Sequence, residues 1–165
     1  MRRLALPLLA GGLALVPVLP LSPVLSGTEA WAKPQHCFAK AEIAADLIVR
    51  HGVFLRESSR RCDDTRPGTK KMWEDFDKAF GSRLLSQRTR RENAFKREFP
   101  QDWLKALTTF DARLVTYERN LYDTPEFCSD IEKLLKTNQK SGWSSFVKQS
   151  KTLKSVAVLD IKPCD

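Results

Sequence analysis

The first 32 residues constrain this chain more than any other segment. Two arginines open it, an apolar run follows over residues 4–25, and an Ala-Trp-Ala triplet closes it at positions 30–32. A charged start, an apolar middle and small residues at the exit are the three parts of a secretory signal peptide. We therefore predict that residues 1–32 are cleaved and that residues 33–165 fold outside the cytosol, in a periplasm or the extracellular space.

An uncleaved membrane anchor is the alternative interpretation of this segment. Its apolar run is about as long as the roughly 20 residues that a spanning helix needs. Proline is poorly tolerated inside a helix, and four prolines interrupt the run: Pro7, Pro17, Pro20 and Pro23. The first cysteine, Cys37, also lies too far beyond the cut to carry a lipid. The sequence therefore favours cleavage and a mature chain without a transmembrane segment.

Apolar residues recur every three or four positions through most of the mature chain, which is the spacing of amphipathic helices. Prolines and glycines are scarce and fall mostly between these stretches, where helices begin and end. We predict helical segments at about residues 36–59, 68–99, 100–121, 125–141 and 143–157. The short turns between them indicate an all-α fold, an antiparallel bundle of four to five helices that forms a single domain over residues 33–165.

All four cysteines lie beyond the predicted cut, so in an exported chain they indicate disulfides rather than metal ligands or catalytic thiols. Up-down packing brings the end of the first helix and the start of the fourth to the same end of the bundle. This arrangement favours Cys62–Cys128, with Cys37–Cys164 joining the termini. A Cys37–Cys62 bridge is disfavoured, because an intact helix would hold those residues ~35 Å apart. The bundle is thus predicted to be stapled by two disulfides.

The mature chain is basic. The signal segment contains two arginines and one glutamate, so 26 basic and 19 acidic residues remain and the net charge is +7. Anionic lipid head groups, acidic polysaccharide, nucleic acid and acidic proteins are the partners that such a charge can attract. Specific nucleic-acid binding is disfavoured, because the aromatic residues lie mainly on the inward stripes instead of beside the basic residues.

The densest basic run lies on the second helix. It contains Arg83, Arg88, Arg90, Arg91 and Arg97. Arg83, Arg90 and Arg97 repeat every seven residues, and such a stripe can grip phosphate or sulfate; a merely solvated helix face is the alternative. Arg88 and Arg91 fall on the apolar face of the same helix. Either the helix overhangs the core there, or it breaks near Gly81, or the two arginines face a cavity.

Residues suited to catalysis are few. His51 shares the inner side of the first helix and is either a ligand or base, or a partly buried side chain with a hydrogen-bonded ring. Glu74, Asp75 and Asp77 could perform acid–base chemistry or bind a cation, but negative charge is also favoured at a helix start. Nucleophile-elbow, zinc-protease, haem-attachment and nucleotide-binding motifs are missing, so the sequence gives no reason to expect a metal, a cofactor or an enzyme.

These observations lead to one function hypothesis and two alternatives. The first is a small exported protein, placed in a periplasm by its compact domain and its lack of an Asn-X-Ser/Thr sequon, that binds a protein or an anionic envelope component. The second is a carrier that holds a small apolar or anionic ligand inside the bundle, near His51, Arg88 and Arg91. The third is an enzyme of unrecognised class that uses His51 or the Glu74 cluster.

Overall fold

The computed structural model describes residues 36–120, 123–152 and 161–164. The predicted signal peptide and its cleavage site lie outside these ranges and stay predictions, as do the proposed bounds of the mature domain. Within the described ranges, none of the helices combines the length and the apolar character needed to cross a membrane.

The first helix, α1 (Lys40–Cys62), begins four residues later than its apolar spacing indicates. Ala39 has an extended backbone, and its N–H donates to the Glu42 carboxylate at 2.8 Å, which satisfies a backbone donor at the helix start. Residues 37–38 form a short strand instead of the first helical turn. The buried face of α1 carries Ala45, Ile48 and Leu55, as the spacing predicts.

The second helix, α2 (Thr69–Glu98), runs for 30 residues without a break at Gly81. It starts after Gly68, whose φ of 96° lies in the left-handed region that glycine adopts readily. Trp73, Phe76 and Leu84 pack into the core from this helix. The continuity of α2 rules out the interpretation in which the basic run follows a break.

The third helix, α3 (Trp103–Arg119), is the most exposed of the four. Pro100 precedes it by three residues and therefore does not occupy its first helical position. Only Leu114 and Glu118 of α3 are fully buried. The helix thus lies over the bundle as an outer wall.

The fourth helix, α4 (Pro125–Thr152), consists of two arms that meet at Gly142. Gly142 has φ 64° and ψ −149°, a conformation open almost only to glycine, and a Cβ there would lie 3.3 Å from the Phe80 ring. The second arm folds back on the first. A hydrogen bond joins the two arms, since the Asn138 amide donates to Oε1 of Gln149 at 3.0 Å. The predicted interruption at this glycine is confirmed; residues 153–157 of the last predicted helix lie outside the described ranges.

Two apolar clusters hold these helices together. The larger joins α1, α2 and α4 around Leu55, Phe76, Leu135 and Phe146. The smaller lies where the end of α2 meets the chain termini and α3, and it contains Phe38, Phe95, Phe99, Phe110 and Ile161. The all-α disulfide-linked bundle predicted from the sequence is therefore confirmed, with four helices of which the last is broken.

Both predicted disulfides are present. Cys62–Cys128 ties the end of α1 to the start of α4, and Cys37–Cys164 joins the two ends of the described chain. Beside the second bridge, β1 (Cys37–Phe38) pairs in parallel with β2 (Lys162–Pro163), and the N–H of Cys164 donates to the carbonyl of Phe38 at 2.9 Å. Both cysteine pairs are fixed by the up-down order of the helices.

Removal of either disulfide should destabilise the fold strongly, because each bridge closes a long loop in the unfolded chain. The cysteines are 66 residues apart in one pair and 127 in the other. For each Cys→Ala double variant we expect the free energy of unfolding to fall by about 2–5 kcal/mol, as measured by urea unfolding. An unchanged unfolding midpoint in both double variants would contradict this expectation.

Candidate functional site

The structure divides the five predicted arginines of α2 among different surroundings. Arg91 is buried, and Arg88 lines the same groove beside it. The seven-residue spacing puts Arg83, Arg90 and Arg97 together on another side of the helix. The five arginines therefore do not form one charged stripe, and their contacts differ from one residue to the next.

Arg97 is occupied within the molecule. Its guanidinium pairs with the carboxylates of Glu42 and Glu98 and donates to the carbonyl of Cys37 at 3.2 Å. The hydrogen bond from Arg97 also holds the pKa of Glu42 below its usual range. Arg97 thus anchors the N-terminal strand to the end of α2, and its guanidinium is engaged within the fold instead of being free for a ligand.

Arg91 belongs to a buried ionic network that joins three helices. Its Nε donates to Oδ1 of Asp46 on α1 at 2.6 Å, and its Nη1 donates to Oδ1 of Asp111 on α3 at 2.7 Å. The other oxygen of Asp46 accepts from Nε of Arg50, also at 2.6 Å. Two cations and two carboxylates compensate one another here, which is how buried charges are tolerated.

A groove, which we name the α3 groove, lies above this network between α1, α2 and α3. Its volume is about 340 Å³. Five aliphatic side chains form its walls: Val49, Val53, Leu107, Leu114 and Val115. Its charged residues are Arg56, Arg88, Arg91, Glu92 and Asp111. Arg91 and Arg88 both line this groove, Arg91 as a buried side chain and Arg88 as an exposed one.

Two of these arginines have unused hydrogen-bonding capacity. Arg91 is only 4% exposed, and its Nη2 is buried without a hydrogen-bond partner in the part of the chain that the structure describes. Arg88 is exposed to solvent and makes no hydrogen bond or ion pair with any described residue. Because a buried donor without a partner costs free energy, a polar group that reached Arg91 would be stabilised there.

The outer face of α2 is a second candidate surface. Leu85 is 61% exposed in its middle, and Arg90 lies beside it without an ion pair to any residue that the structure describes. Arg83 lies over the Phe80 and Trp143 rings, 5.7 and 6.0 Å from their centroids. Short polar side chains surround these residues on the surface that we name the α2 outer face: Ser82, Ser86, Thr89 and Asn93. Glu42 of α1 lies at the same surface, where its carboxylate is paired with Arg97.

His51 lies in the main core, apart from both surfaces, and none of its side chain is exposed. Its Nε2 donates to Oε1 of Gln149 at 3.0 Å, and Asn138 donates to the same oxygen. The His51 ring packs against Phe146, with centroids 4.8 Å apart. This is the hydrogen-bonded histidine that the sequence offered as an alternative to a ligand, and His51 does not line the α3 groove.

The acidic cluster on α2 is exposed. Asp75 pairs with Lys71 at 2.9 Å and Glu74 with Lys70 at 3.9 Å, both at the i,i+4 spacing of solvated helix faces. Among the described residues one set of three possible metal ligands comes together, Cys37, Glu98 and Cys164. Its two sulfur atoms are joined in a disulfide, so they are not available as thiolate ligands.

Glu118 is an unexpected buried acid on α3. Both of its carboxylate oxygens are buried without a hydrogen-bond partner among the described residues. The pKa of Glu118 is raised to about 7, mainly by burial; the charge of Arg61 opposes this rise and the nearby Glu57 adds to it. Arg61 also donates to the backbone carbonyl of Glu118 at 2.8 Å, which holds the end of α3 on α1.

No protein-family model matches this chain, and comparisons with curated proteins and with solved structures give no match either. The function has to be inferred from the two surfaces alone. The sequence did not single out Asp46, Asp111 or Leu85, which shape these surfaces. One signal was present, since Asp46 and Arg50 are charged residues four positions apart within the apolar face of α1.

The burial of His51 should make the free energy of unfolding depend on pH. Burial lowers its pKa from 6.5 to about 4, so between these values the unfolded chain binds a proton that the folded chain does not. The stability that His51 contributes is therefore fully present above pH 6.5 and is lost as the pH drops to 4, by up to about 3 kcal/mol. Urea unfolding from pH 4 to 7.5 should show this loss in the wild type and not in His51→Gln; parallel pH curves would contradict it.

Glu118 should have the opposite effect on stability. Its folded pKa is raised, so the unfolded chain ionises first, and stability falls as the pH rises from 4.5 through about 7. We expect Glu118→Gln to unfold at a higher temperature than the wild type at pH 8.5 and at the same temperature at pH 4.5. Glu74→Gln, at an exposed site, is the control and should show no such difference. Equal unfolding temperatures of Glu118→Gln and the wild type at pH 8.5 would show that the acid is not buried.

Proposed function

We propose that the protein is exported and acts by binding, with the α2 outer face as its docking surface for an acidic protein of the cell envelope. The observation that carries the proposal is the exposure of Leu85 beside Arg90, an apolar side chain and an unpaired cation on one helix face. Export is supported by two disulfides, which form and persist in oxidising compartments.

The side chains of the α2 outer face suit a protein partner. Serine, threonine and asparagine lose little conformational entropy when a partner covers them, unlike the lysines and glutamates of an ordinary solvated helix. Leu85 can enter a partner's pocket, and arginine is enriched at interfaces. The face thus combines one apolar side chain with polar neighbours that lose little conformational entropy when a partner covers them.

Charge specifies the kind of partner. Residues 78–91 contain five basic side chains and no acidic one. Arg91 is paired with Asp46 and Asp111, and Glu42 beside the face is paired with Arg97, so Arg90 has no ion pair to a described residue. An acidic protein surface would supply a counter-charge for Arg90, accelerate encounter and set orientation. An enzymatic role has less support, because the candidate base His51 is enclosed in the core.

Site-specific photo-crosslinking in living cells tests this proposal. With a photo-reactive residue in place of Thr89, we expect a crosslinked adduct with an acidic envelope protein. Arg90→Glu should reduce its yield about tenfold, since reversing a charge at an interface replaces attraction by repulsion. Raising the salt concentration on isolated envelopes should weaken the same adduct, because exposed charges are screened.

Arg113→Glu is the matched control, because Arg113 is an exposed arginine on α3, away from the α2 outer face. It should leave the adduct at wild-type yield. The proposal would be wrong if Thr89 gave no adduct, if a reactive residue at position 113 gave the same one, or if Arg90→Glu and Arg113→Glu reduced the yield equally.

A further inference from the structure

Separately from partner docking, we infer that the α3 groove is a binding site for a small amphipathic monocarboxylate, a molecule with one carboxylate and a compact apolar body. The inference uses other residues than the α2 outer face and does not depend on the proposed function. It rests on three features of the groove: its apolar walls, its unsatisfied guanidinium groups and the balance of charge around it.

The walls provide for the apolar body of the ligand. Valine and leucine side chains from α1 and α3 face each other across the groove, with Val49 and Val53 on one side and Leu107, Leu114 and Val115 on the other. Covering such side chains with an apolar molecule removes hydrocarbon surface from water, which is favourable by roughly 25 cal/mol per Å². A purely inorganic anion would gain nothing from these walls.

The guanidinium groups provide for the carboxylate. Nη2 of Arg91 is buried without a partner among the described residues, although the Nε and Nη1 groups of the same side chain are firmly bonded. Arg88 lines the groove beside it and makes no polar contact within the described chain. A carboxylate is planar and has two acceptor oxygens, so one ligand can accept from both arginines.

The surrounding charges favour an anion with a single charge. Three arginines and two acids line the groove, and both acids already have partners: Glu92 pairs with Lys96, and Asp111 with Arg91. Arg88 is left with uncompensated positive charge, so an anion is attracted and a cation repelled. A doubly charged group would be repelled by Asp111, and by Asp46 behind it, and is therefore a poorer fit.

The size of the groove limits the ligand. Its volume of about 340 Å³ lies at the lower end of the roughly 300–1,000 Å³ found for small-molecule sites. A medium-chain carboxylate fits this description better than a whole phospholipid.

Isothermal titration calorimetry with decanoate tests the inference on disulfide-bonded protein purified from cells that express the full chain. We expect saturable binding at one site, weakened at least tenfold for decanol, which has the chain without the charge, and for acetate, which has the charge without the chain. Decyltrimethylammonium, with the opposite charge, should not bind. Equal affinity for decanoate and decanol, or no binding of decanoate, would overturn the inference.

Paired variants locate the site. Arg88→Gln should weaken decanoate binding about tenfold, because it removes one of the two charged donors to the carboxylate. Arg113→Gln makes the same change at an exposed arginine on α3 outside the groove, and it should keep wild-type affinity. An equal loss in both variants would show that decanoate responds only to net charge and would refute the site.

A second variant keeps the test decisive if Arg88→Gln affects folding. Val115→Trp fills the groove without changing its charge, and we expect it to abolish decanoate binding while the urea midpoint stays near that of the wild type. Backbone amide shifts on decanoate addition should be largest at groove residues such as Val53 and Leu107. Unchanged affinity in Val115→Trp, or shifts concentrated on the α2 outer face, would place the binding elsewhere and overturn the inference.

Discussion

The ionic network around the Asp46 carboxylate is the interaction on which the packing of α1, α2 and α3 depends. The carboxylate accepts from Arg50 on its own helix and from Arg91 on α2, and Arg91 reaches on to Asp111 of α3. An acid buried in this way is tolerated only because cations surround it. The network therefore contributes, with the hydrogen bond from Arg61 to the Glu118 carbonyl, to holding α3 on the bundle, and α3 forms one wall of the groove.

The helix α2 carries both candidate surfaces, one on each of two sides. One side faces α1 and α3 and presents Arg88 and Arg91 to an apolar groove. The other presents Leu85 and Arg90 to solvent. Arg97, near the end of the helix, stabilises the fold by holding the N-terminal strand. A run of arginines that looks uniform in the sequence thus contains a structural residue, groove residues and surface residues.

Much of the fold could be predicted from the sequence because its signals are local. The apolar periodicity indicates the helices, and Gly142 marks the break in the last one, since only glycine adopts that backbone conformation comfortably. The cysteine pairing followed from the order of antiparallel helices. The strand at Cys37–Phe38 was missed because its partner, Lys162–Pro163, lies at the far end of the chain, and no local pattern announces a pairing across that distance.

The sequence by itself determined the helices, the disulfide pairing and the basic segment of α2. Only the tertiary structure decided which arginines are paired, buried or exposed, and that His51 lies in the core while Arg88 and Arg91 share a groove. The physical reason is that helical periodicity gives the direction of a side chain around its own axis. It does not show which neighbouring helix lies in that direction, or whether the side chain meets an aspartate, a valine or solvent there.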